Sequence, residues 1–181
     1  MNTVEPIRDK ELIEDIIDYF RGRSDRNALL FMFGIYSGLR ISDILHFRVR
    51  DVRGKKYFVI IEQKTKKERR IPIHKMLRKE IEKYVSGKKD YEMLFKSRQG
   101  INKPITRQQA YNIIQQAAEE FGIERLGTHT MRKTFGYNLY KQTGDIVLVQ
   151  KILNHATPEI TLAYIGITSE TMENAIMSLD Y

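Results

Sequence analysis

The 181-residue sequence predicts a mainly α-helical domain that carries one small antiparallel three-stranded β-sheet. Three observations lead there. Apolar residues recur at three- and four-residue spacing along most of the chain. That period gives way to β-type runs only between Val49 and Ile73. With 41% hydrophobic and 30% charged residues, the composition suits one folded domain with its own core. There is no internal repeat, low-complexity tract or Pro/Gly/Ser-rich linker, so residues 1–181 read as a single domain.

The elements follow in order. Asp9 caps a first helix through Phe20, with Leu12, Ile13, Ile16, Ile17 and Phe20 on one face. Asp25 caps a second helix, Arg26–Ser37, whose run Leu29-Leu30-Phe31-Met32-Phe33 is apolar enough to be deeply buried, and Gly38 ends it. Ile41–Phe47 reads as a short third helix. Tyr57–Ile61 and Arg70–Ile73 form a hairpin around the Lys-rich stretch Gln63–Arg69, with Val49–Val52 as the third strand. Pro72 places its strand at an edge. Helical spacing returns in Met76–Val85, in Thr106–Phe121 and in His129–Gln142, where Met131, Phe135 and Leu139 make a core stripe. Asp145–Asn154 is next, Thr157-Pro158 starts a helix through Tyr164, and Ser169–Leu179 ends the chain.

Charge narrows the function classes. The net charge of +8 points to a polyanionic partner. Residues 48–89 hold 16 Lys/Arg against 5 Asp/Glu, a net of +11, and the other 139 residues carry −3. Within this window Lys55, Lys56, Lys66, Lys67, Arg69 and Arg70 are the candidate DNA contacts. The absence of cysteine excludes disulfides, thiol catalysis and Cys-based zinc sites, and fits a cytoplasmic location. No apolar run reaches the ~18 residues that span a bilayer.

Spacing selects among the four histidines and ten tyrosines. His129 and Arg132 lie three apart at a helix start and share a face. His155 and Tyr164 lie nine apart across the Pro158 turn. Arg40 follows a Gly-Leu turn at the opening of a helix, and Lys64 sits in the hairpin loop. Taken singly, each has an ordinary reading: a surface arginine, capping or core histidines, a solvated lysine, a packing tyrosine. His46 and His74 match neither pattern and read as structural or surface residues, and Tyr137 and Tyr140 as packing.

Together the residues say more. The segments Ser37-Gly38-Leu39-Arg40-Ile41-Ser42-Asp43, Glu62-Gln63-Lys64-Thr65 leading to Arg70-Ile71-Pro72-Ile73, Thr128-His129-Thr130-Met131-Arg132-Lys133-Thr134, Leu153-Asn154-His155-Ala156 and Ile160-Thr161-Leu162-Ala163-Tyr164 occur in this order. The pattern resembles the catalytic domain of the tyrosine recombinases, the phage-integrase family, from about Glu5 to Leu179. It implies that family's DNA breaking-rejoining fold and a site-specific recombinase or integrase of a phage or mobile element. A phosphodiester attacked by a phenol gains charge on its nonbridging oxygens, which two always-charged guanidinium forks answer best; Arg40 and Arg132 are the pair. The resemblance makes Tyr164 the nucleophile, joined to a 3′-phosphate, and makes His129 the acceptor of its proton or the positioner of that acceptor. It gives His155 a nonbridging oxygen and Lys64 the leaving 5′-oxygen, with Lys66 and Lys67 as rivals for that last role. Asp43 would hold a catalytic basic side chain or support its helix. Because the bond energy is kept, neither metal nor ATP is required. Asn154 departs from the glycine that many members have before the second histidine.

Family members commonly carry an N-terminal helical domain that grips the other face of the DNA. The first helix here begins near residue 9, so that core-binding domain is expected to be absent: the chain is a catalytic domain alone or a fragment. The apolar stripe Met172, Ala175, Ile176 and Leu179 suggests self-association to a tetramer on double-stranded DNA through the C-terminal helix. The competing reading is a DNA-binding module that keeps the fold and recombines nothing.

Overall fold

The computed structural model describes residues 4–61, 68–167, 171, 173 and 176–180. In chain order the helices are α1 (Lys10–Arg21), α2 (Asp25–Ser37), α3 (Ile41–Ile44), α4 (Lys75–Val85), α5 (Arg107–Glu120), α6 (Thr128–Thr143), α7 (Ile146–Leu153) and α8 (Pro158–Tyr164), with strands β1 (Tyr57–Ile61) and β2 (Glu68–Pro72) between α3 and α4. None of these helices is long and apolar enough to cross a membrane.

The helix starts are set by side-chain caps. Asp9, Thr106, Asp145 and Thr157 each accept a backbone N–H of the first turn. At α2 the cap is Ser24 and not Asp25, which lies inside the first turn where a carboxylate favours the positive end of the helix dipole.

The sheet departs from expectation. It has two antiparallel strands, paired from Tyr57 opposite Pro72 to Ile61 opposite Glu68. Val49–Val52, expected to be the third strand, is not extended: Val49–Asp51 form a single 3-10 turn. The Asp51 carboxylate accepts the Arg48 N–H at 2.7 Å, and the Val49 N–H donates to the Glu92 carbonyl at 2.9 Å. Those backbone groups are thus committed elsewhere, and none is left for a ladder with β1.

Helix α2 runs through the centre and packs against α1, α4 and α6. Ala28 to Ile35 are all buried, and Phe33 stacks on Phe58 of β1 at 4.6 Å. The approach of α6 depends on glycine. At Gly38, where φ is +62°, a Cβ would lie 2.3 Å from Phe135 Cδ1, and at Gly34 it would lie 2.6 Å from Met131 Cβ. Only residues without a side chain let Met131 and Phe135 seat there, which brings Arg132, between them in sequence, to the end of α2.

Two apolar clusters result. The larger is built around α2 and takes residues from α1, α4, α5 and the hairpin. The smaller has Val149, Leu153 and Ile165 fully buried, with Phe135, Leu139, Tyr140 and Tyr164 packed on them. Leu139 belongs to this second cluster, so the stripe on α6 serves both.

Candidate active site

Arg132 lies where the two clusters meet. Its guanidinium donates to the Gly38 carbonyl at the end of α2 and to the Leu153 carbonyl at the end of α7. The side chain is 5% exposed, and burial lowers its pKa to about 10, which leaves it charged at neutral pH. Arg40, the residue before α3, is exposed, and its guanidinium makes no hydrogen bond or ion pair among the described residues. Arg40, His129 and Arg132 line one cavity of about 390 Å³, together with Ser42, Arg107, Tyr111 and Thr128. His129 is on its rim. Its pKa is lowered by burial and by the charges of Arg132, Lys133 and Arg40. Two fixed cations and a neutral imidazole facing one space suit an anion that must be held while a proton is taken up.

His155 and Tyr164 approach Arg132 from the other cluster. Their rings meet edge to face with centroids 4.8 Å apart. The nine-residue spacing produces this contact because Asn154 ends α7 in the left-handed conformation (φ +53°) and Thr157 starts α8 three residues later. Asparagine is among the few non-glycine residues that adopt that backbone readily, so it fills the position where a glycine is common without strain. Burial and the charges of Arg132 and Arg40 depress the His155 pKa to about 4, so the ring is neutral at pH 7. The Tyr164 hydroxyl is buried beside the Arg132 guanidinium with no well-formed hydrogen bond among the described residues, and burial raises its pKa against the opposing pull of Arg132 and Arg40.

The remaining expected residues divide. Lys64, Lys66 and Lys67 lie outside the described residues, as do Met172 and Ala175. Ile176 and Leu179 are exposed. The Asp43 carboxylate makes no ion pair among the described residues, and the Asp43 backbone N–H bonds the Arg40 carbonyl at 2.9 Å. Lys55 and Lys56 are exposed before β1, and Arg70 is exposed beside Glu68 at 2.8 Å. Arg69 turns inward and donates to the Ile152 carbonyl of α7. Arg48 and Arg53 likewise hold backbone carbonyls, of Tyr91 and of Val85 and Lys88. Part of the basic window is therefore internal scaffolding. His74 caps α4 and stacks on Tyr36 at 4.7 Å.

Three neighbours are not singled out by the sequence, although Lys133 lies within the Thr128–Thr134 segment. Arg107 and Tyr111 reach the cavity from α5, far from any motif. Lys133, 8% exposed, holds Nζ 5.2 Å from the Tyr164 ring centroid.

The chain is similar to known proteins over nearly its whole length. The chain is 48% identical over 175 residues to the probable integrase/recombinase YoeC of Bacillus subtilis, covering 97% of this chain and 96% of that one. Among solved structures, that of XerA recombinase superposes with a TM-score of 0.76 at 19% identity, over 98% of this chain and 65% of the other. XerH site-specific recombinase, in a post-cleavage complex with its palindromic difH substrate, gives 0.73 at 19% identity over 98% and 54%. The chain thus spans nearly all of the Bacillus relative but less than two thirds of either solved recombinase. Residues 8–170 match the phage integrase family model, and the chain belongs to that family as a tyrosine recombinase catalytic domain.

Proposed function

We propose that this protein is a site-specific DNA recombinase or integrase that cleaves and rejoins strands through a covalent 3′-phosphotyrosyl link on Tyr164, without metal or ATP. One observation carries the reading: Arg132, His155 and Tyr164, from α6, the α7–α8 turn and α8, converge beside a cavity that Arg40 and His129 also line. Arg40 and Arg132 hold the nonbridging oxygens of the scissile phosphate. Tyr164 Oη attacks phosphorus, His129 accepts or directs the phenolic proton, and the bond to the 5′-oxygen breaks as Lys64 protonates it. His155 contacts a nonbridging oxygen. Reversal with a new 5′-hydroxyl rejoins the strand.

The partner is double-stranded DNA, supported by the exposed lysines beside the hairpin and by the DNA complex of the XerH relative in fold. The exposed Ile176 and Leu179 support docking of the C-terminal segment on a second copy, toward a tetramer on DNA. Incubation with a nicked suicide duplex tests the reading. The wild type is expected to form a covalent adduct that maps to Tyr164, and Tyr164→Phe to form none while binding DNA as before. Binding without any adduct would favour a DNA-binding module instead.

A further inference from the structure

Thr161 has no place in the chemistry above, yet its hydroxyl is bonded to a ring that does. The residue is completely buried on α8, one turn before Tyr164. Its Oγ1 donates to the Thr157 carbonyl at 3.0 Å and lies 3.1 Å from His155 Nδ1. A threonine hydroxyl has a single proton and two lone pairs. Directed at the Thr157 carbonyl, that proton leaves Oγ1 an acceptor, and Nδ1 must then be the donor in the second contact. Directed at Nδ1 instead, it would leave two oxygens opposed at 3.0 Å with no proton between them and make one hydrogen bond where two are available. The first arrangement is the one that satisfies the buried groups. The charged groups facing the imidazole are Arg132 of α6 and Arg40 at the start of α3, and its titratable neighbour is Tyr164 of α8.

We propose that Thr161 is a positioning residue that fixes the tautomer of His155, holding the ring proton on Nδ1 and leaving Nε2 a bare acceptor until a phosphodiester enters. The second half rests on the recombinase reading, which brings a phosphate oxygen to Nε2. An ionised phosphodiester oxygen has no proton to give, so Nε2 must take one from solvent. The ring becomes imidazolium, with one N–H on Thr161 and the other on the phosphate. The phosphodiester's negative charge favours this step against burial and the two arginines, which together keep the ring neutral in the free protein.

Nitrogen-15 NMR of histidine-labelled free protein near pH 7 tests the assignment, with the His155 signals identified by their loss in His155→Asn. The wild type is expected to show a protonated Nδ1 and an unprotonated Nε2. Thr161→Val, which keeps the shape and removes the hydroxyl, should release the ring to the Nε2–H form, whereas Thr161→Ser should retain Nδ1–H. On a suicide duplex, Thr161→Val should cleave about tenfold or more slowly with a displaced pH profile, and Thr161→Ser should recover most of the rate. A wild-type ring protonated on Nε2, or a Thr161→Val protein that keeps the Nδ1–H tautomer, would overturn the proposal. Failure of the wild type to form any adduct would instead overturn the phosphotyrosyl reading, because the tautomer is measured without DNA.

Discussion

The larger cluster surrounds α2 with apolar side chains on nearly every side, whereas the smaller has three fully buried aliphatic residues and takes the rest of its cover from partly buried aromatic and aliphatic side chains. Arg40 and His129 flank the former; Tyr164 belongs to the latter, and His155 packs its ring edge to face on Tyr164. In the proposed reaction the groups that hold phosphate are thus mounted on the part of the molecule that is costly to deform, and the attacking phenol on the part that is cheaper to open. Tyr164 Oη is buried next to the Arg132 guanidinium with no well-formed hydrogen bond among the described residues, so in the proposed reaction a shift of α8 would bring it to phosphorus. Arg132 joins the two, through one carbonyl on each side.

The largest effect should come from cutting that joint. Arg132→Ala removes a transition-state charge, expected to slow cleavage by about 10²–10³-fold or more. It also strips the donors from two buried carbonyls, at about 1–3 kcal/mol each. Arg40→Ala should slow cleavage to a similar degree yet shift stability by no more than about 0.5 kcal/mol, because its guanidinium is exposed and unbonded. Denaturant titration beside a single-turnover cleavage assay separates the two. Equal stabilities would mean that Arg132 is no joint.

Truncating one aliphatic residue in each cluster sharpens the contrast. Leu29→Ala, in the middle of α2, should lower global stability by about 2–5 kcal/mol. Leu153→Ala should act chiefly on the local opening of α7 and α8, seen as increased proteolysis in residues 146–167 at a nearly unchanged global midpoint.

The smallest effect is electrostatic. The folded-state pKa of His155 is about 4, below the unfolded value of ~6.5. As pH falls from 6.5 to 4 the unfolded chain binds a proton that the folded chain refuses, so this histidine's contribution to stability is present above 6.5 and lost toward 4. His155→Asn should flatten the stability profile across that window relative to wild type, as urea midpoints at stepped pH would record.

Much of the site was legible in sequence because its chemistry demands particular residues at particular helical offsets. His129 and Arg132 share a face since they are three apart, and the His155–Tyr164 contact follows from one αL residue and one capped helix. Long-range pairing was not legible. The third strand failed because Val49 bonds Glu92, a partner that no local pattern announces. Arg69, Arg48 and Arg53 count as surface charge in composition, but each is turned onto a carbonyl that only the folded chain supplies. Thr161 stood in the sequence only as one position of the Ile160–Tyr164 segment, because its contact is with a histidine six residues away.

Hydrogen exchange resolved by peptide tests the division of labour most directly. In the free protein, amides of α2 should exchange only through global unfolding, and those of residues 146–167 at least about tenfold faster through local opening. Covalent capture on a suicide duplex should slow exchange in 146–167 and leave α2 unchanged. Equal protection of the two regions in the free protein, or slowing confined to α2, would contradict a lightly anchored Tyr164 moving against a fixed phosphate grip.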